Sequence, residues 1–113
     1  MPSCDLLIRN AEVLDGTGAA PIAADIVVTD KSITELVPRA VDAQTDLPDA
    51  RRTIQAEGLT LAPGFIDIHS HSDLTIFVNP AAESKIRQGV TMEVNGQCGF
   101  SPLPAHPADY ELL

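Results

Sequence analysis

The chain contains no tryptophan and few aromatics of any kind, with three Phe and one Tyr among 113 residues. Any core must therefore rest on Val, Ile, Leu and Ala. Positive charge is also scarce. Lys and Arg total 7 against 16 Asp and Glu, giving a net charge of -9. With no basic patch, nucleic-acid binding is excluded as an expectation. The negative charge serves solubility, with a cationic partner as the alternative. No apolar run approaches the roughly 18 residues of a membrane helix. The start, Met1-Pro2-Ser3-Cys4-Asp5, lacks the basic region of a signal peptide, so a cytoplasmic location is expected. Only two cysteines occur, Cys4 and Cys98, far apart in sequence. In a reducing compartment they are not expected to pair, and Cys4 reads as incidental, near a frayed terminus.

What remains is ordinary globular material, 44% hydrophobic and long enough for one small domain. Residues 5–14 read as extended, and Asp15-Gly16-Thr17-Gly18 as a turn. Residues 24–29 are β-branched and short, hence a strand. Asp30-Lys31 leads tightly into an extended 32–37, so a meander or hairpin set is expected. Such a sheet needs a second layer over its apolar face. Residues 38–50 have no strong period and read as a loop or insertion. Residues 52–56 form another short strand, and 59–62 are extended. Asn79-Pro80 suits a helix start, with the helix running to Gln88 and stopping at Gly89. Val90-Thr91-Met92-Glu93-Val94 is then a strand, which completes a βαβ unit and implies a parallel sheet. Residues 109–113 look like a helix beginning. There is no internal repeat.

The stretch that organises the rest is Pro63-Gly64-Phe65-Ile66-Asp67-Ile68-His69-Ser70-His71. It turns at Pro-Gly, runs apolar, and ends on two histidines. Period-two alternation in a strand puts Asp67, His69 and His71 on one face. Two imidazoles at a strand end can meet on one metal ion, and neutral imidazole suits zinc and similar metals. Cys98 follows the second strand in a loop flanked by Gly96 and Gly99. It is either a small buried apolar residue or a thiolate ligand. Asp67 reads as a structural carboxylate, or else as the group that orients a ligand imidazole. Asp73 reads as a solvated or helix-capping loop residue, or as an acceptor near the metal. His106, in a proline-rich loop, reads as solvent-exposed, and so do Arg51, Arg52 and the Glu83/Arg87 pair.

The Pro-Gly-Phe-Ile-Asp-x-His-x-His stretch resembles the first-strand signature of the amidohydrolase superfamily. The opening Asp5-Leu6-Leu7-Ile8-Arg9-Asn10-Ala11-Glu12-Val13-Leu14-Asp15-Gly16-Thr17-Gly18 looks like the start of these proteins. Two further stretches are similar to the N-acyl-D-amino-acid deacylases, or D-aminoacylases. They are His71-Ser72-Asp73 with the later Arg87-Gln88-Gly89-Val90-Thr91, and Gly96-Gln97-Cys98-Gly99-Phe100-Ser101. Gln97 stands where the family loop commonly has Asn, a departure that bears on substrate preference.

The resemblance implies an α/β fold: a TIM-like (β/α) barrel with a small composite β-sandwich, of which only the N-terminal portion is present. Residues 1–60 would belong to the sandwich and 61–113 to the first βαβ unit of the barrel. It implies a centre of one or two Zn2+ ions. His69 and His71 serve its more exposed site and Cys98 its tightly held one, with Asp67 and Asp73 outside them. Two more histidine ligands and a general-base aspartate are implied beyond residue 113, so no catalytic residue is expected within the chain. The implied reaction is hydrolysis of the linear amide of N-acyl-D-amino acids, small-molecule substrates, with no nucleic acid or membrane partner. A barrel of this type takes about 250 residues. Residues 1–113 alone are therefore expected to be inactive, and wild-type-like turnover by them would refute this. The alternatives are a cyclic-amide amidohydrolase of the dihydroorotase or hydantoinase type, a scaffold that kept the fold and lost metal, and a β-sheet interaction module. The Gly96-Gln97-Cys98-Gly99 loop argues against the first, and retention of both histidines against the second.

Overall fold

A computed structural model describes residues 3–39, 46–101, 104, 106 and 108. The expected helix at 109–113 and much of the 38–50 segment lie outside these residues. The described residues divide into two units, one running to Pro63 and the other beginning at Gly64.

The first unit is a five-stranded sheet. Strands β1 (Cys4–Val13), β2 (Ile22–Thr29) and β3 (Ser32–Pro38) form an antiparallel meander. Strands β4 (Ala50–Gln55) and β5 (Thr60–Leu61) both run parallel to β1, one along its first half and one at its end. The strand order is β3-β2-β1-β4, with β5 beside β1. The Asp30-Lys31 connection takes both residues to positive φ, at 51° and 66°, the left-handed pair a tight hairpin requires.

β1 does not keep a single alternation. Its register to β2 slips between Ile8 and Ala11. Asn10 adopts φ 64° there, and its amide donates to the buried Asp25 Oδ1 at 2.7 Å. The bulge re-aims the strand, and both sheet faces carry buried residues. Ala11, Val13, Ala24, Ile26 and Ala56 form one cluster, and Cys4, Leu7 and Val27 form another. Cys4 is thus not an incidental residue of a frayed end. It opens β1 with 5% exposure, and its thiol lies 3.7 Å from the Asp49 carbonyl oxygen. The backbone ties it down, because both Ser3 and Cys4 donate their amides to Asp49.

In the second unit, β6 (Phe65–Asp67) pairs in parallel with β7 (Val90–Glu93), the orientation the βαβ reading expects. The connecting segment differs from expectation. Helix α1 (Ser72–Val78) comes first, and α2 (Glu83–Ile86) follows after a turn. Asn79-Pro80 closes a helix here instead of opening one. The Asn79 amide donates to the Thr75 carbonyl at 2.8 Å, and Pro80, lacking an N–H, cannot extend the ladder. No helix among the described residues is long and apolar enough to cross a membrane.

Candidate metal centre

Pro-Gly opens β6 because nothing larger than Gly fits at position 64. A β-carbon there would lie 2.2 Å from Thr91 Cγ2 and 2.8 Å from Thr91 Cβ. Thr91 is the residue that the register slip inserts into β7, between the pairs Phe65–Val90 and Ile66–Met92.

The alternation expected through His71 stops at Asp67. Asp67 Oδ1 accepts the His69 amide at 3.1 Å, and this short-range bond turns the chain out of the strand. His71 then stands at the N-cap of α1. Asp67, His69 and His71 therefore do not line one strand face. A bend and a helix start bring the imidazoles together, with ring centroids 5.4 Å apart.

Cys98 reaches the same place from the other side. It lies in a single helical turn, Gln97–Gly99, just after β7. Gly96, Cys98 and Gly99 all have positive φ, at 82°, 56° and 75°. For the two glycines this is inexpensive, but for Cys98 it is a strained backbone state. The strain turns the thiol toward the histidines, and Sγ lies 3.5 Å from His69 Nε2. One donor atom from each of His69, His71 and Cys98 falls within 4.8 Å of the others, and all three residues are exposed.

Polar cross-ties hold the three chain segments. Asp73 Oδ1 accepts the Gly96 amide at 3.0 Å, which links the first turn of α1 to the cysteine loop. Asp73 is therefore neither a solvated residue nor the cap of its helix, where His71 makes no side-chain bond. Its second oxygen, Oδ2, is buried without a hydrogen-bond partner. Gln97 Nε2 donates to the Ile68 carbonyl at 3.2 Å and lies 3.5 Å from that of Val94. The amide at this departure from the family loop is thus engaged with backbone. Asp67 makes its contact with the main chain of His69, not with an imidazole. His106 is exposed, and its Nδ1 accepts the Ala108 amide at 3.2 Å.

One charged group escaped the sequence reading. Lys85, on α2, pairs with Asp67 and lies 3.4 Å from Glu93 Oε1 and 3.3 Å from Ser70 Oγ. Asp67 and Glu93 are register partners on β6 and β7. Two carboxylates side by side on adjacent strands repel unless a cation meets them. Pairing Asp67 with Glu93 in sequence would have posed that question. The Lys85 hydrogen bond, followed by the His69 amide, holds the Asp67 pKa below its ordinary value. The Ser72 hydroxyl is the largest influence lowering that of Glu93, with Lys85 adding to it. Asp67 in turn raises that of Lys85.

The donor chemistry fits zinc. Bond lengths of ~2.0–2.3 Å place tetrahedral ligand pairs roughly 3.3–3.7 Å apart, and the sulfur–imidazole separation already lies there. Beside the histidines lies a cavity of about 630 Å³, lined by His71, Asp73, Leu74, Thr75 and the Gly99–Phe100–Ser101 segment.

The sequence profile of the Amidohydrolase family matches residues 52–110. The chain belongs to that family. It is 37% identical over 101 residues to the N-acyl-D-glutamate deacylase of Alcaligenes xylosoxydans xylosoxydans, covering 89% of this chain and 20% of that one. The crystal structure of the N-acyl-D-glutamate deacylase of Bordetella bronchiseptica, complexed with zinc and a phosphonate inhibitor, superposes with a TM-score of 0.78. Identity there is 38%, over 90% of this chain and 20% of that chain. A D-aminoacylase structure with a binuclear metal centre gives a TM-score of 0.74 at 36% identity, over 94% of this chain and 22% of that one. The chain spans about a fifth or less of the length of the curated relatives it matches.

Proposed function

We propose that this chain forms part of a zinc-dependent hydrolase that cleaves the linear amide bond of N-acyl-D-amino acids. The observation that carries this reading is the approach of His69, His71 and Cys98 donor atoms to within 4.8 Å. Two imidazoles from one turn and a thiol from the loop after β7 are a borderline-soft donor set, the kind zinc prefers. The deacylase relatives support the choice of substrate class. Zinc held by His69, His71 and Cys98 would supply Lewis-acid chemistry, favouring hydroxide near neutral pH and polarising an amide carbonyl. The residues of this chain hold and orient. Asp67 and Gln97 fix the backbone around His69, and Asp73 fixes the loop that presents Cys98. The adjoining cavity, with Leu74 and Phe100 on its wall, gives an apolar part of the substrate a place beside the metal.

The test is metal analysis of the protein purified at full length, together with amide hydrolysis. One or two zinc ions per chain are expected, with free amino acid released from N-acetyl-D-amino acids and not from their L-enantiomers. Turnover of cyclic amides alone would place the protein among the cyclic amidohydrolases instead. Absence of both zinc and hydrolysis would favour the scaffold.

A further inference from the structure

The Lys85 cluster lies outside the donor set, yet it ends on the donor set's backbone. Lys85 is only partly exposed, with 29% of its side chain accessible, and its two carboxylate partners are at 28% for Asp67 and 16% for Glu93. By contrast, Arg87 on the same segment pairs with Glu83 across 3.6 Å at 75% and 63% exposure, an ordinary surface pair. Lys85 meets one oxygen of Asp67, Oδ2. The other oxygen, Oδ1, takes the His69 amide. The ammonium also reaches Ser70, a residue 3% exposed that lies between the two histidines in sequence. One cation thus contacts both sides of the turn that carries His69.

We propose that Lys85 is a positioning residue for the metal centre: by clamping Asp67 against Glu93 it fixes the turn that aims His69 and His71. The proposal rests on the reading that these histidines bind zinc. The chain of contacts runs from the ammonium to Asp67 Oδ2, through the carboxylate to Oδ1, and on to the His69 amide. Without the cation, Asp67 and Glu93 face each other as like charges across the parallel pair. The cheapest relief is for Asp67 to swing away, and that releases the His69 amide. The donors are exposed and no core packing restrains them, so the loss passes directly to imidazole placement.

The test uses the full-length protein, its zinc affinity measured by competition with a chromogenic chelator, and the absorption spectrum of its cobalt-substituted form. Lys85→Met should weaken zinc binding about 10–100-fold, the usual effect of removing a group that supports a ligand. It should also alter the cobalt d–d bands, which report ligand geometry. Lys85→Arg should recover most of the affinity, and Arg87→Met should change nothing. If Lys85→Met does not fold, Lys85→Gln, a neutral polar side chain that leaves the two carboxylates facing each other without a cation, takes its place. That variant should show the same weakened affinity. Zinc affinity and cobalt spectrum like wild type in either variant would overturn the proposal. A separate control tests the reading beneath it: His69→Ala, His71→Ala and Cys98→Ala combined should abolish binding. Zinc retained there would sink the metal site itself, whatever Lys85 does.

Discussion

Replacing Gly64 with alanine tests whether the approach of β6 to β7 sets the site. The added carbon would meet Thr91 Oγ1 at 2.3 Å, Cγ2 at 2.2 Å and Cβ at 2.8 Å. Ordinary carbon contacts are about 3.5–4.0 Å. Rotating the Thr91 side chain moves Oγ1 and Cγ2 but leaves Cβ in place, so a rotamer change cannot relieve the overlap. Restoring a separation of about 3.5 Å requires the strands to part by roughly 0.7 Å at this point. Overpacking of this kind costs ~1–3 kcal/mol. Alanine also removes freedom from the unfolded chain, which favours it by ~0.4–1 kcal/mol. The clash should win, leaving a net local destabilisation of about 1–2 kcal/mol.

A site-resolved assay suits this better than a global melt, because a large protein need not unfold in two states. Hydrogen exchange at the Phe65 and Val94 amides reads the pairing directly, since these donate to the Gly89 and Asp67 carbonyls at 2.8 Å each. A loss of 1–2 kcal/mol speeds exchange through local opening about 5–30-fold. Thr91→Gly removes all three offending atoms and should restore slow exchange to Gly64→Ala. Thr91→Ala keeps the Cβ contact and should rescue only in part. Unchanged exchange in Gly64→Ala, or no coupling to Thr91, would refute the close-approach account.

Removing Cys98 alone should lower zinc affinity more than 10-fold and abolish the sulfur-to-metal charge-transfer band of the cobalt form, as absorption spectroscopy would show. The carboxyl of Glu93 should titrate by NMR below its ordinary 4.5, and Ser72→Ala should move it upward, because the Ser72 hydroxyl is the leading cause of the shift. With a lowered folded-state value, Glu93 contributes stability above 4.5 and loses it as pH falls through that lower value. Lys85, raised above 10.5, contributes below 10.5 and loses its contribution as pH rises beyond. The cluster is therefore expected to hold through the neutral range and to fail at both extremes, which exchange at the His69 amide would detect. In the first unit, Ile26→Ala should destabilise the sheet by ~2–5 kcal/mol, as for deletion of a buried aliphatic chain, read by denaturant unfolding of that unit's amides.

The meander was legible because its signals are local: alternating apolar residues, a two-residue connection at Asp30-Lys31, and β-branched runs. The pairing of β4 and β5 with β1 was not. Parallel partners come from distant segments, and no turn residue announces them. Helix α1 was missed for a different reason. None of its residues is buried, and His71 at its N-cap makes no capping bond, so neither a core-facing stripe nor a cap marked it. At the site, the two motifs name the three residues whose donor atoms converge, but not their means of assembly. Strand alternation predicts the histidine pair on one face, whereas the Asp67–His69 amide bond ends the strand before either imidazole.

The donors are exposed, so burial does not hold them. Hydrogen bonds between segments must do that work. Asp67 to the His69 amide fixes the turn itself, while Asp73 to the Gly96 amide and Gln97 to the Ile68 carbonyl join the histidine stretch to the cysteine loop. Cys98 is the clearest consequence. A non-glycine residue at φ 56° costs of order 1–3 kcal/mol, and it persists only when its surroundings over-determine it. Relaxing that backbone would turn the sulfur away from His69. A glycine at position 98 would remove the strain but also the thiol. The strain and the proposed ligand therefore belong to the same residue, and stability is given up at the place where the proposed chemistry requires a particular direction of approach.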